Sequence, residues 1–377
     1  MRNYGRTSIA EFLEDRVVYR NLEPADPRLP RLHELSAFTG LAPGRIPRKT
    51  EAVYARAGVQ LLREAQKLRG VSSPLRRLLF VGDTLLLDGT AFANLCLAGE
   101  WSGLAFIGSE NSDPPRVEIV PNETGHSLYR SNRWDALVDF DRHAAANGFP
   151  VDEATAIVLD LDKTVVGARG RNGHVIDQAR LRAVQDTLAD LLGASFEMQA
   201  FRSAYERLNR PEFHPFTTDN QDTVAYLCLI LGGGLYSFDD LATRIRQGSL
   251  TSFEQLLAEV EGKRRELPAR LAEIHNQVYT SVKAGDPTPF KPFRRREYLT
   301  TLRCFDHLPC DADPQDLLSN EIVITQEVRA AALDWQHRGA LLFGFSDKPD
   351  EAALPTPELA AQCWQPLHRA VTHSVGE

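Results

Sequence analysis

The stretch Ala156–Gly167, AIVLDLDKTVVG, decides the fold, because an apolar run of strand length ends there in two aspartates, Asp160 and Asp162. A run this apolar is typical of a buried parallel strand. Side chains two positions apart on an extended segment share a side, so the two carboxylates lie close together and repel each other. A shared proton or a cation would relieve the repulsion, and a hard cation such as Mg²⁺ is the simplest choice. The stretch therefore predicts a metal-binding loop at the carboxyl edge of a parallel sheet, where open α/β sheets bind ligands.

A second stretch of this kind lies upstream, in LLFVGDTLLLDG (residues 78–89), where Asp83 and Asp88 follow an apolar run. Between the two stretches the pattern predicts a helix (89–101), a strand (103–108), a polar loop (109–127) and a helix (133–148). A helix at 50–68, with Thr50 as its N-cap, precedes them, and residues 1–45 are expected to form an irregular arm with at most one short helix. Apolar strands that alternate with helices predict an α/β domain with a parallel sheet.

The pattern changes after Asp177, where nearly every segment is an amphipathic helix, with Ser237 and Ser252 as candidate caps. Strand-like runs return at 321–325 and 340–345, and one last helix is expected over 356–374. We therefore predict three parts: a first part of the core (1–177), a helical domain (178–317) and a second part of the core (318–377).

The residues Asp160, Asp162 and Thr164, after the apolar AIVL, resemble the DxDx[TV] motif of phosphotransferases in the haloacid dehalogenase superfamily. The resemblance implies that Asp160 is the nucleophile that accepts the phosphoryl group. It implies that Asp162 is the general acid and base, and that its backbone carbonyl contacts the metal. Thr164 would contact the substrate. The presence of Asp162 disfavours dehalogenase chemistry, which does not need a second carboxylate.

The upstream stretch is similar to the fourth motif of the same superfamily, a strand followed by GDxxxxD, here Gly82, Asp83 and Asp88. Its acids would complete a Mg²⁺ site with Asp160 and Asp162. In the superfamily this motif comes last, whereas here it precedes the first motif. The order implies a circularly permuted, Rossmann-like core whose chain ends lie near each other, a rearrangement that preserves the site.

The permutation requires a Ser or Thr of the second motif near the end of the chain, and two candidates exist. Ser346 ends the strand-like run GALLFGFS and is preferred, because its strand is the longer one and Gly339 ends the helix before it. Thr325 ends EIVIT, where a helix cap is the simpler interpretation.

The lysine of the third motif also has two candidates, and the sequence leaves the choice open. Lys49 precedes the helix that leads into the Asp83 strand, as the superfamily lysine usually does. Lys348 lies two residues beyond Ser346. Either would neutralise charge at the nucleophile and the phosphoryl group.

The helical domain lies where the superfamily inserts a mobile cap, which would close over the substrate and exclude water. The loop after the first motif carries Arg169 and Arg171, whose fork geometry suits a substrate phosphate or carboxylate. The resemblance thus implies a Mg²⁺-dependent phosphohydrolase with an aspartyl-phosphate intermediate, acting on a small phosphorylated metabolite. The alternatives are a phosphomutase or phosphotransferase of the same fold, or a catalytically silent binding protein.

The composition and charge of the chain indicate which partners and which cellular compartment to expect. A net charge of −8 gives no case for nucleic-acid binding. The sequence has no secretion-signal core and no apolar run long enough for a membrane span, so we expect a cytoplasmic protein. The five cysteines lack metal-binding or disulfide spacing and are expected to be reduced. The oligomeric state is left open.

Overall fold

A computed structural model of the chain describes residues 1–41, 44–121, 126–218 and 220–377. Parts of the predicted N-terminal arm (42–43) and of the predicted polar loop (122–125) lie outside these residues. The chain divides into two compact units, Met1–Gln178 with Thr301–Glu377, and Ala179–Thr300. The predicted helical domain extends to residue 317, whereas residues 301–317 belong to the first unit.

The described residues form ten strands, all in the first unit. They are β1 (Arg2–Thr7), β2 (Val17–Val18), β3 (Arg77–Gly82), β4 (Ser102–Gly108), β5 (Val117–Pro121), β6 (Ser127–Ser131), β7 (Thr155–Asp160), β8 (Ile324–Thr325), β9 (Leu341–Phe345) and β10 (Thr372–Gly376).

The helices of the described residues fall in both units. They are α1 (Ala10–Leu13), α2 (Leu32–Thr39), α3 (Ala52–Leu68), α4 (Thr90–Gly99), α5 (Leu137–Ala146), α6 (Gly173–Leu192), α7 (Met198–Leu208), α8 (His214–Thr217), α9 (Gln221–Gly232), α10 (Phe238–Arg246), α11 (Phe253–Gly262), α12 (Ala269–Lys283), α13 (Lys291–Leu302), α14 (Pro314–Asn320), α15 (Gln326–His337) and α16 (Pro357–Ala361). None of them is long and apolar enough to cross a membrane.

The main sheet has seven strands in the order β2-β9-β7-β3-β4-β6-β5. All neighbours are parallel except β5 and β6, which form an antiparallel pair at one edge. The α/β class with a mostly parallel sheet, as the sequence predicts, is therefore confirmed. A second sheet of three strands has the order β1-β10-β8.

The core of the first unit forms because the central strands are apolar on both faces. All six residues of β7 are buried. On one face, Phe80 of β3 and Phe343 of β9 belong to a cluster with Leu62 of α3 and Phe92 of α4. Outside this cluster, Phe140 of α5 packs against Phe106 of β4, with ring centroids 5.7 Å apart. Helices thus cover the sheet, as buried parallel strands require.

The second unit consists of helices throughout its described residues and has a core of its own. Leu188, Phe201, Leu227, Leu256 and Val278 are among its buried members. Ser237 and Ser252 cap α10 and α11 as the sequence predicts, since their side chains accept hydrogen bonds from the backbone N–H groups of Asp240 and Gln255.

Two loop predictions in the first unit are wrong. The segment 1–45 is not an irregular arm, because β1 and β2 pair with β10 and β9, helix α1 lies between these two strands and α2 follows them. The predicted polar loop contains β5, whose residues pair with β6 from Val117↔Ser131 to Pro121↔Ser127. Local patterns do not identify these strands, because the partners of β1 and β2 lie far away in the chain and β5 carries no clear strand pattern.

Two helix predictions also need correction. The helix expected over 356–374 ends at Ala361, and Thr372–Gly376 forms β10 because β1 and β8 supply partners on both sides. Pro366 also cannot donate the backbone hydrogen bond that a continuous helix needs. Helix α3 has Glu51 at its N-cap, not Thr50, whose carbonyl instead accepts a hydrogen bond from Asn94 Nδ2 at 2.9 Å.

Candidate active site

The carboxyl ends of three neighbouring strands bring the predicted residues together. β7 lies between β3 and β9, with Leu159 opposite Val81 and Asp160 opposite Phe345. Asp83 follows β3 by one residue and Ser346 follows β9 by one residue. Because the strands are parallel, Asp83, Asp160 and Ser346 lie at the same edge of the sheet.

Three carboxylates form a buried cluster at this edge. Each of Asp83, Asp88 and Asp160 has a carboxylate oxygen within 4.8 Å of an oxygen of the other two. All three side chains are buried. A set of carboxylate oxygens at this spacing fits Mg²⁺, which prefers oxygen ligands. The side chain of Asp162 is not part of this cluster.

The two candidate lysines contact different aspartates. The Nζ atom of Lys49 lies 2.6 Å from Asp88 Oδ1 and 2.6 Å from Asp160 Oδ1. The Nζ atom of Lys348 lies 3.6 Å from Asp162 Oδ1. Both lysines are buried. The geometry therefore gives Lys49 the contact with the candidate nucleophile and Lys348 the contact with the candidate acid and base.

A tight turn holds Asp88 in the cluster. Its Oδ2 atom accepts hydrogen bonds from the backbone N–H groups of Asp83 (2.9 Å) and Thr84 (2.8 Å), and from Thr84 Oγ1 (2.9 Å). Residues Leu85–Gly89 form a π-helical turn, a feature frequent at functional sites. Gly82 is required here, because a Cβ atom on it would lie 2.6 Å from Asp88 Cγ.

The candidate nucleophile is fixed on both carboxylate oxygens. Lys49 contacts Oδ1, and Thr164 Oγ1 donates a hydrogen bond to Oδ2 at 3.1 Å. The hydroxyl of Thr325 donates to the carbonyl of Thr164 at 2.6 Å, so Thr325 supports the loop and does not face Asp160. Ser346 Oγ accepts the backbone N–H of Lys348 at 3.1 Å. Of the two candidate hydroxyls, Ser346 is the one that lines a small cavity together with Asp162 and Lys348.

Burial and neighbouring charges shift the pKa values of the three acids in different directions. Burial raises the pKa of Asp83 to about 7, and the charge of Asp88 adds to this effect. Burial also raises the pKa of Asp160 well above its usual value, although Lys49 opposes the shift. For Asp88 burial favours the neutral form, but the charge and hydrogen bond of Lys49 outweigh it and lower the pKa to about 2. Additional positive charge in this cluster would lower the raised pKa values of Asp83 and Asp160 and so stabilise their ionised forms.

The two predicted substrate arginines have different surroundings. The Nε atom of Arg169 forms an ion pair with Asp83 Oδ2, and 38% of the Arg169 side chain is exposed. Arg171 is buried and forms ion pairs with Glu110 (2.6 Å) and Glu327 (2.9 Å), apart from the cluster. Gly170 between them lies against Glu110, whose carbonyl oxygen would be 1.8 Å from a Cβ atom. We therefore assign Arg171 a structural role in place of the predicted substrate contact.

The sequence analysis missed two supporting features. Thr84 follows Asp83 directly, and a hydroxyl residue that precedes a helical turn is a known capping signal that could have identified it. The partners of Arg171 lie 61 and 156 positions away in the chain. No local pattern could have indicated them.

Searches of protein-family models, of curated proteins and of solved structures find no match for this chain. The function must therefore be argued from the site itself.

Proposed function

We propose that this protein is a Mg²⁺-dependent phosphohydrolase that acts on a small phosphorylated metabolite and forms an aspartyl phosphate on Asp160. The single observation that carries the proposal is the buried cluster of Asp83, Asp88 and Asp160 around Lys49 at the carboxyl edge of the sheet. Buried acids with raised pKa values cluster at functional sites, and burial of unpaired charge elsewhere opposes folding.

The charge balance of the site supports a divalent cation and an anionic substrate. Four carboxylates (Asp83, Asp88, Asp160 and Asp162) face three cationic side chains (Lys49, Lys348 and Arg169). When all four acids are ionised, one net negative charge remains, and a divalent cation would both favour that ionised state and make the net charge positive. A positive site attracts a phosphate monoester and stabilises the charge that spreads over the transferring group.

The residues of the chain have separable roles in the proposed reaction. An oxygen of Asp160 attacks phosphorus while the ester oxygen leaves with a proton from Asp162. Asp162 then takes a proton from water, whose oxygen attacks the phosphoryl group and releases Asp160 and inorganic phosphate. Thr164 and Lys49 orient the Asp160 carboxylate, and Lys348 lies close enough to Asp162 to influence its charge.

Magnesium fits the donor set of Asp83, Asp88 and Asp160, with the backbone carbonyl of Asp162 as a further candidate ligand. When bound, the ion supplies positive charge that keeps these acids ionised and polarises the phosphoryl oxygens.

The strand arrangement supports the circular permutation. The strand that ends at Asp160 lies between those that precede Asp83 and Ser346, although the chain reaches Asp83 first. The first and last strands pair with each other, and the Met1 amino group lies 3.1 Å from Glu377 Oε2. In this proposal the helical unit, Ala179–Thr300, is the cap.

The proposal is tested by hydrolysis of p-nitrophenyl phosphate with and without Mg²⁺. We expect turnover that requires Mg²⁺ and falls by about 10⁴-fold or more in Asp160→Asn, the loss that removal of a nucleophile produces. Asp177→Asn is the matched control, because Asp177 pairs with Lys163 in the same segment but is half exposed, and it should keep the activity. Equal activity of Asp160→Asn and the wild type would contradict the proposal.

One observation favours the second candidate, a catalytically silent binding protein. The Arg169–Asp83 ion pair already gives Asp83 a positive partner. If this pair replaces the metal, calorimetry will detect no Mg²⁺ binding to the wild type, whereas Arg169→Ala will gain it. Mg²⁺ binding by the wild type would reject this candidate.

A further inference from the structure

The hydroxyl group of Tyr54 is a buried polar group beside the site that has no hydrogen-bond partner among the described residues. Tyr54 lies in the first turn of α3, five residues after Lys49, and only 2% of it is exposed. Its ring packs against Phe345, with centroids 6.1 Å apart, and Phe345 directly precedes Ser346. Buried hydroxyl groups in folded proteins nearly always have a partner, so an orphan at this place needs an explanation.

The ring of Tyr54 packs against the last residue of β9, next to Ser346, and the charges of Lys49, Asp88 and Asp160 act on its phenol. Burial raises the pKa of Tyr54 above its usual value, and Lys49 exerts the largest charge effect on the phenol, followed by Asp347 and Asp160. The phenol therefore keeps its proton at neutral pH and is a hydrogen-bond donor. It can donate to an acceptor that enters the site.

Lys49 has donor capacity for the same acceptor. An ammonium group has three N–H bonds, and Asp88 and Asp160 each accept one from Lys49. Among the residues that the structure describes, no other group accepts a hydrogen bond from Lys49, so the third N–H bond can serve another oxygen. A phenol and an ammonium group in one buried region suit an anion that brings several oxygens.

We propose that the Tyr54 hydroxyl is a further residue of the active site, which donates a hydrogen bond to an oxygen of a phosphoryl group bound next to Lys49. This inference rests on the proposed phosphohydrolase function and adds a residue to it. It also explains why α3 carries a tyrosine at a position where phenylalanine would pack equally well.

The test is Tyr54→Phe, which removes the hydroxyl and keeps the ring. The affinity for inorganic phosphate in the presence of Mg²⁺, measured by calorimetry on the full chain, should fall about 10- to 100-fold, as expected for the loss of a hydrogen bond to a charged group. We expect kcat/KM for p-nitrophenyl phosphate to fall by a similar factor. The Tm should rise, because a buried hydroxyl without a partner opposes folding.

Tyr226→Phe is the matched control in the helical unit. Its hydroxyl is also buried but has a partner, His275 Nδ1, at 2.6 Å. This variant should lower the Tm and leave phosphate affinity unchanged.

The outcomes separate the inference from the function on which it rests. If the wild type binds phosphate and turns over the ester, and Tyr54→Phe does both equally well, the inference is wrong and the proposed function stands. If the wild type neither binds phosphate nor shows Mg²⁺-dependent turnover, both are wrong. A lower Tm of Tyr54→Phe with unchanged phosphate affinity would assign the hydroxyl to the fold and would also overturn the inference.

Discussion

Each unit contains a buried cluster of charged side chains, and the two clusters differ in their balance. In the helical unit, Arg294 lies 2.6 Å from both Asp222 and Glu297, and Arg180 contacts Glu297 at 3.0 Å. Two acids there meet two arginines. In the first unit, Lys49 serves both Asp88 and Asp160, while Asp83 has the half-exposed Arg169. In this cluster three acids, Asp83, Asp88 and Asp160, meet two cationic side chains.

In the proposed function, this difference separates a cluster that holds a fold from one that binds a ligand. In the balanced cluster burial disfavours the charge of Arg294, but Asp222 and Glu297 outweigh it and raise its pKa. In the acidic cluster burial raises the pKa values of Asp83 and Asp160. Excess like charge opposes folding, and a chain keeps it where a ligand relieves it.

The largest effect on stability should come from Arg294→Met in the balanced cluster. The change leaves the carboxylates of Asp222 and Glu297 buried without their main partner, which typically costs about 3–5 kcal/mol of unfolding free energy. Chemical denaturation followed by circular dichroism measures this loss. A loss below about 1 kcal/mol would mean that the network is not the support of the helical unit that its burial indicates.

The acidic cluster should respond to Mg²⁺, whereas the balanced cluster should not. Mg²⁺ at about 100 times its dissociation constant should stabilise the wild type by about 2.7 kcal/mol through binding to the folded state. Lys49→Met removes a competing cation, so its stabilisation by Mg²⁺ should be larger than that of the wild type. Differential scanning calorimetry in EDTA and in MgCl₂ compares the two.

Arg294→Met is the matched variant for this measurement. Its loss of stability relative to the wild type should be the same in EDTA and in MgCl₂, because the change lies in the helical unit and leaves Asp83, Asp88 and Asp160 in place. Rescue of Arg294→Met by Mg²⁺, or loss of the Mg²⁺ effect in Lys49→Met, would contradict the assignment of the ion to the acidic cluster.

Local sequence patterns could predict the acidic cluster but not the balanced one. Asp160 and Asp83 each follow an apolar strand, so the parallel sheet brings them together as a consequence of its geometry. The central strands were predictable because each is a continuous apolar run, and most helices because their apolar residues recur with a regular period. Asp222 and Arg294 lie 72 positions apart on different helices, and their pairing depends on how the helices pack.

Partners from distant parts of the chain also explain the incorrect fold predictions. β10 forms because β1 and β8, from opposite ends of the sequence, lie on either side of it. Residues 372–376 carry no strand signal strong enough to overrule the helical pattern before them. The choice between Lys49 and Lys348 was open for a similar reason. Each lysine lies near one of the motifs in the sequence, and only the packing decides which aspartate each contacts.

Glu321, a buried acid outside both clusters, extends the comparison to pH. Its Oε1 atom lies 2.6 Å from His373 Nδ1, and both side chains are buried. Burial would raise the pKa of Glu321, but hydrogen bonds from His373 and from backbone N–H groups outweigh it and lower the pKa below the usual 4.5. A carboxyl group with a lowered pKa stabilises the fold above its unfolded pKa, and the contribution is lost as the pH falls through the folded value.

Glu321→Gln should therefore be less stable than the wild type at pH 7, by about 1–3 kcal/mol for a charge-assisted hydrogen bond. The difference should shrink as the pH falls below about 4.5. Denaturant titrations of both proteins at a series of pH values measure it. A difference that stays constant down to pH 3 would show that the charge of Glu321 contributes nothing and that only its shape matters.

The smallest effect should come from Arg296→Ala, two residues from Arg294 on the same helix. Arg296 pairs with Asp190, but the two side chains are 37% and 53% exposed. Water already solvates both charges, so the pair should contribute no more than about 1 kcal/mol, and less as salt is added. If Arg296→Ala destabilised the protein as much as Arg294→Met, burial would not be what distinguishes the two arginines. The balance of a cluster would then matter less than the number of ion pairs in it, and the contrast between the two buried clusters would lose its physical basis.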